Sequence, residues 1–249
     1  MAEMVLKVPE GEKQSSPFLT AEWRDLVMLN YEVDPALLVK FVPRETELDS
    51  WNGKTFISLV GFRFLNTKVC GVSFPLHRDF DEVNLRFYVR RRSGTEVRRG
   101  VVFIREIVPR WLIAAVARGV YNERYVALPM SHRIQDSGDG RLVEYAWKHQ
   151  RAWNKLSLET TGDFGPPEEG SQEQFITEHY WGYTAQRDGG CAEYEVRHPQ
   201  WMVCMGTGRF DGNMEELYGC ELDAVLKNQP SSAFLAVGSM VSVHRGRRL

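Results

Sequence analysis

The sequence predicts an α+β fold that is mainly antiparallel β, its sheet strongly curved or closed into a barrel and carrying a few helices. Three observations predict it. Runs rich in β-formers fill most of the chain from Phe18 onward, and turn signals recur between them. No long helical crossover, which parallel strands require, separates the runs. About ten strands and two or three short helices are expected. They form one domain over residues 17–249, and residues 1–16 read as a disordered tail.

The elements follow in order. Asp25–Val33 is dense in β-formers, and Pro35 then opens a short helix, PALLVKF, with Asp34 as N-cap. Glu47–Trp51 and Lys54–Leu65 flank Asn52-Gly53, the strongest short hairpin signal, because a type I′ turn needs two positive φ angles. Glu82–Arg92 and Val97–Val108 form a second hairpin around Ser93-Gly94. Pro109 stops that strand and starts a helix over 109–120, where Leu112, Val116 and Val120 recur at helical spacing. DSGDG joins Ser131–Gln135 to Arg141–Gln150, and Arg151–Glu159 continues as a strand. TGDFGPPEEG is a loop, SQEQFI a helical turn, and Trp181–Gln186 a strand that Asp188-Gly189-Gly190 turns into Cys191–His198. Met214–Tyr218 reads as a short helix and Phe234–His244 as the last strand.

Composition excludes several function classes. With 31 basic and 33 acidic side chains the formal charge is -2, so no global positive field draws nucleic acid or an anionic membrane. No apolar run of about 18 residues spans a bilayer. The polar stretch Met1–Ser16 lacks the apolar core of a secretory signal, and the expected setting is the cytoplasm. Cys70, Cys191, Cys204 and Cys220 form no C-x-x-C pair, and the six histidines offer no local chelate, so no metal and no cofactor are expected. Walker, dinucleotide and nucleophile-elbow motifs are absent. The arginine cluster Arg90, Arg91, Arg92, Arg98 and Arg99 reads as a solvated hairpin tip, interrupted by Glu96 and without an aromatic platform.

Two charged residues fall on faces that otherwise read apolar. Arg63 shares a face with Ile57, Leu59 and Leu65, and Glu106 shares one with Val102, Ile104 and Val108. Buried charges need partners. Either these two pair with each other, or they serve a ligand as carboxylate clamp and general acid or base. Arg86 shares its strand face with Asn84 and Tyr88, which is either solvent-exposed or the wall of a wet barrel interior. His179 is a further polar candidate, read either as a cavity residue or as a histidine bonded to backbone.

Long phrases of the chain carry a specific resemblance. They include FLTAEWRDLVMLNYEVDP at 18–35, NGKTFISLVGFRFLNTKV at 52–69, HRDFDEVNLRFYVRR at 77–91, RGVVFIREIVPR at 99–110, YNERYVALPMSH at 121–132 and FITEHYWGYT at 175–184. Together they resemble the YqjF-like bacterial family of unknown function, within the acetoacetate decarboxylase-like superfamily. The resemblance spans about Phe18 to Val243. It implies a cone-like antiparallel barrel with flanking helices and a central cavity. The superfamily enzyme forms a Schiff base on a lysine that follows a proline, after a segment containing a glutamate. Glu123 and Pro129 fit that segment, but Met130 stands where the lysine belongs, and a thioether forms no imine. By resemblance Glu123, Met130 and His132 lie at the cavity, with Tyr121 as their neighbour.

The expected function is therefore a small-molecule-binding barrel for an organic acid, without Schiff-base chemistry. Its candidate site is Arg63, Arg86, Glu106, Tyr121, Glu123, Met130 and His132. A lyase-like enzyme using carboxylate and histidine acid–base chemistry is one alternative. A non-catalytic interaction or sensor domain with a packed cavity is another. Neither nucleic acid nor membrane is expected as a partner, and a homo-oligomer is left open.

Overall fold

The computed structural model describes residues 16–110, 124–138 and 140–249. The expected helix lies outside them from Trp111 onward, as does the expected tail through Ser15. In chain order the described strands are β1 (Leu19–Val33), β2 (Glu47–Leu48), β3 (Thr55–Val69), β4 (Phe80–Ser93), β5 (Glu96–Val108), β6 (Tyr125–Ala127), β7 (Met130–Ser137), β8 (Gly140–His149) and β9 (Ala152–Thr160). Helix α1 (Gln172–Thr177) precedes β10 (Trp181–Ala185), β11 (Cys191–Arg197) and β12 (Val203–Asp211). Helices α2 (Glu215–Tyr218) and α3 (Cys220–Leu226) lead to β13 (Ser232–Val243) and β14 (Arg247–Arg248).

Local chemistry sets several of these boundaries. Asn52 and Gly53 take φ of 50° and 77°, as the turn demands, and close a Trp51–Lys54 bridge. The expected partner strand does not continue that hairpin: β2 pairs with β4 instead, through Glu47↔Arg90 and Leu48↔Val89. The second hairpin forms as read, with Ser93 opposite Glu96. PALLVKF winds into two short 3₁₀ turns rather than an α-helix, and Asp34 caps the first by accepting from Ala36 N at 2.8 Å. Ser171 caps α1 by accepting from Gln174 N. Strand β12 and helix α3 carry no expectation from sequence. In β12, a Cβ on Gly206 would meet the Glu159 carbonyl at 2.4 Å, and one on Gly208 the Leu29 side chain at 2.2 Å. Those glycines weaken the strand signal in sequence and permit the close approach in the fold.

Most pairings are antiparallel. The exceptions are β10 and β6, each parallel to β5. Hydrogen-bonded neighbours run β11-β10-β5-β4-β3-β1-β13, and β13 pairs back onto β11 through Val196↔Val243 and Arg197↔Ser242. Seven strands thus form a ring of pairings. From β13 the path also continues through β12 and β9 to β8 and β7.

Alternation along the ring strands sorts their side chains into two clusters. Leu29, Leu59 and Leu85 face Tyr145, Trp147 and Leu158 of β8 and β9, together with Leu222 and Leu226 of α3. This first cluster is closely packed; a Cβ on Gly61 would lie 2.6 Å from Tyr145. The opposite faces of the same strands gather Met28, Val60, Phe62, Phe64, Phe80 and Tyr88 into a second cluster. Among the described residues no helix is long and apolar enough to cross a membrane.

Candidate functional site

The second cluster is hollow. A cavity of about 410 Å³ opens within it, and every strand of the seven-strand ring contributes to its wall. Trp23 comes from β1, Phe62 from β3, Arg86 from β4, Phe103 from β5, Trp181 from β10, Tyr194 from β11 and Val243 from β13. Phe74 lines the cavity and is also 51% exposed, so the space reaches solvent beside it.

Polar groups are a minority of the wall, and three of them sit together on one strand. Glu82, Asn84 and Arg86 lie at alternate positions of β4 and so share one face. Asn84 Nδ2 donates to Glu82 Oε1 at 3.0 Å, and the Tyr125 hydroxyl donates to Glu82 Oε2 at 3.1 Å. Glu106, opposite Asn84 in the ladder, also engages that hydroxyl. Burial, then the Glu106 and Glu82 charges, push the Tyr125 pKa well above its ordinary value, so the phenol stays protonated.

Arg86 is more than nine-tenths buried and has no ion-pair partner among the described residues. Its Nη2 reaches the Ile176 carbonyl at 3.5 Å and Met28 Sδ at 3.9 Å, and its Nε has no hydrogen-bond partner. A permanent cation held this way is under-compensated, since a guanidinium presents five donors.

His179 lies nearby in the wall, against the rings of Tyr88 at 4.7 Å and Phe175 at 5.1 Å. Its Nε2 faces Asp49 Oδ2 at 3.4 Å, and Asp49 also accepts from Arg99 Nε at 2.7 Å. Burial brings the His179 pKa down to about 4, against the opposing pull of Asp49, so the ring is neutral near pH 7. Burial alone would raise the Asp49 pKa, but the facing His179 ring and the Arg99 hydrogen bond outweigh it and hold it at about 2. Beyond that 3.4 Å approach of Nε2 to Asp49, neither ring nitrogen has a hydrogen-bond partner among the described residues. The cavity therefore combines an uncompensated cation, a protonated phenol between two carboxylates, and a neutral imidazole. Such a set can bind an anion and move a proton.

Of the residues expected at the site, the structure brings Arg86 and Glu106 together. Arg63 is on the other face of the sheet, where its Nε donates to Asp25 Oδ2 at 3.0 Å. Arg141 joins the same carboxylate at 3.1 Å, and the Tyr145 hydroxyl bonds the Asp25 carbonyl at 2.9 Å. No Arg63–Glu106 pair forms. A bulge separates them: Leu85 faces Arg105 and Arg86 faces Phe103, which leaves Ile104 as an extra residue in β5. Val102 and Ile104 belong to the packed cluster, while Glu106, beyond the bulge, turns to the cavity. His132 also lies on the packed side, with Nδ1 2.8 Å from Asp81 Oδ1. Met130 packs against the first cluster and does not line the cavity. Tyr121 and Glu123 lie outside the described residues. Asp49, Glu82 and Tyr125 were not expected at the site; Glu82 was findable, two residues before Asn84 on the face that carries Arg86.

Among the described residues no group of three or more His, Cys, Asp and Glu side chains could hold a metal ion. Residues 20–240 match the family DUF2071, described as an uncharacterized conserved protein. A Bacillus subtilis relative, named only as uncharacterized protein YqjF, is 26% identical over 190 residues, 73% of each chain. Acetoacetate decarboxylase from Legionella pneumophila superposes with a TM-score of 0.68 at 12% identity, covering 99% of this chain and 93% of that one. The enduracididine biosynthesis enzyme MppR, complexed with pyruvate, gives 0.67 at 15%, covering 96% and 94%. An acetoacetate decarboxylase-like enzyme from Sphingomonas wittichii gives 0.65 at 11%, covering 94% of each. At these identities the likeness is one of fold.

Proposed function

The chain belongs to the DUF2071 family of uncharacterized conserved proteins, and we propose that it binds an organic acid inside a barrel formed by the seven-strand ring. Arg86 carries this reading: a buried guanidinium on a cavity wall, with no counter-ion among the described residues, is complementary to a carboxylate. The open volume of about 410 Å³ falls within the roughly 300–1,000 Å³ of small-molecule sites and weighs against a packed, purely structural interior. Among the described residues no lysine lines the cavity, which supports binding without an imine. A cytoplasmic setting belongs to the same reading, supported by four free cysteines.

A second reading, a lyase-like activity, draws on the Glu82–Tyr125–Glu106 arrangement in the same cavity. There two buried carboxylates flank a phenol that stays protonated, which places a carboxylate base beside a bound acid.

Arg86→Met tests the first reading. Removing an uncompensated buried cation is expected to leave the empty protein folded, with its melting temperature unchanged or higher. Carboxylic acids that raise the wild-type melting temperature with dose should lose that effect in the variant, while their uncharged amides act weakly on both. Equal stabilisation of both proteins by the same acids would overturn the assignment.

A further inference from the structure

Resting on the acid-binding reading, we infer that the ligand is an apolar-bodied monocarboxylic acid, with a medium-length alkyl chain or an aromatic ring, rather than a short hydrophilic acid. The cavity wall is the observation that carries this. Away from the polar groups around Arg86 and His179 the wall is mostly aromatic and aliphatic, with Trp23, Phe62, Phe80, Phe103 and Trp201 among its side chains. Water held against such a wall forgoes hydrogen bonds, and an apolar body that displaces it gains the full transfer free energy. At the mouth, Phe74, in the segment between β3 and β4, lines the cavity and is 51% exposed.

Charge sets the number of carboxylates at one. Among the described residues Arg86 is the wall cation without a counter-ion. The acidic wall groups, Glu82 and Glu106, are engaged with Asn84 and Tyr125 and would repel a second ligand carboxylate. Volume sets the length. At about 30 Å³ per water-sized group, 410 Å³ takes roughly fourteen heavy atoms. A three- or four-carbon acid would leave most of that space unfilled, whereas an eight- to ten-carbon acid would fill it.

Calorimetric titration of the full chain with acetate, butanoate, hexanoate, octanoate and decanoate, with phenylacetate and with 1-octanol, tests the inference. Kd should fall about fourfold per added methylene until the cavity is full, which is ~0.8 kcal/mol at 1.4 kcal/mol per tenfold. Octanoate should bind at least tenfold tighter than 1-octanol. If butanoate binds as tightly as octanoate, the apolar-body inference fails while the acid-binding reading stands. If 1-octanol matches octanoate, the site is apolar but Arg86 is not a carboxylate clamp, and the underlying reading fails with it. No binding by any of these probes at millimolar concentration overturns both.

Discussion

At His179 the cost of burying a charge sets the protonation state. The ring's pKa of about 4 sits well below the ordinary 6.5, because burial outweighs the attraction of Asp49. Between pH 6.5 and 4 the unfolded chain binds a proton there that the native protein refuses, so stability falls as pH falls through that window. Above pH 6.5 the contribution is complete. The loss is about 3 kcal/mol at 1.36 kcal/mol per unit. Asp49, held at about 2, stays charged throughout, and its own contribution disappears only below pH 3.8. The difference in unfolding free energy between pH 7 and pH 4.5 should therefore shrink in His179→Gln. An imidazole titration by NMR with a midpoint at or above 6.5 for His179 would refute this. Sequence placed His179 among the polar candidates but could not fix its state, since Asp49 and Tyr88 lie 130 and 91 residues away and meet the ring only through the fold.

Individual strands explain which parts of the site were readable. Asn52-Gly53 was readable because its dihedral requirement is local, and the Glu82–Asn84–Arg86 face was readable because β4 keeps its alternation. In β5, however, an extra residue at Ile104 reverses the alternation, and nothing in VVFIREIV marks it. A shift of one residue moves every later side chain to the other face, so Glu106 and Arg63 part company. Strand β1 bends in a similar way: its register to β3 shifts between Arg24 and Val27, and Asp25 takes φ of 55°. Across that bend, Gly238 of β13 has φ of 79°, and a Cβ there would lie 2.0 Å from the Trp23 carbonyl. Gly238→Ala must therefore distort both backbone conformation and strand spacing. It should destabilise by about 2–5 kcal/mol, a backbone cost and an overpacking cost together. Urea unfolding is the measurement, with a lower midpoint at unchanged slope expected. A midpoint within error of wild type would show that β1 and β13 adjust without cost.

Across the whole molecule, the ring is held closed by a short seam. β1 and β13 share eleven registered pairs, whereas β11 and β13 share two, Val196↔Val243 and Arg197↔Ser242. So few hydrogen bonds mark the place where local opening should cost least. Glu193, on the same short strand, compensates: its side chain is fully buried and meets arginines from three other strands. Arg98 Nη1 donates to it at 2.9 Å from β5, Arg247 Nε at 2.6 Å from β14, and Arg91 Nη1 at 3.4 Å from β4. β14 in turn bonds β11 through Ala192↔Arg248 and Glu193↔Arg247. One carboxylate thus ties β11 to the far side of the ring and to the final strand. The basic tip that reads as solvated in sequence is, at Arg91 and Arg98, part of this internal network, because its anion lies about a hundred residues away. Glu193→Gln keeps the shape and removes the charge, leaving Arg91 and Arg98 half-served in a poorly hydrated place. The cost should be about 3–5 kcal/mol, as for breaking a buried ion pair from one side. Its distribution is the sharper test. Hydrogen exchange should accelerate first in β10, β11 and β14, while β1 and β3 keep their protection until global unfolding. Uniform acceleration across all strands would instead mean that Glu193 stabilises the fold as a whole and that the seam is no weaker than the rest of the ring.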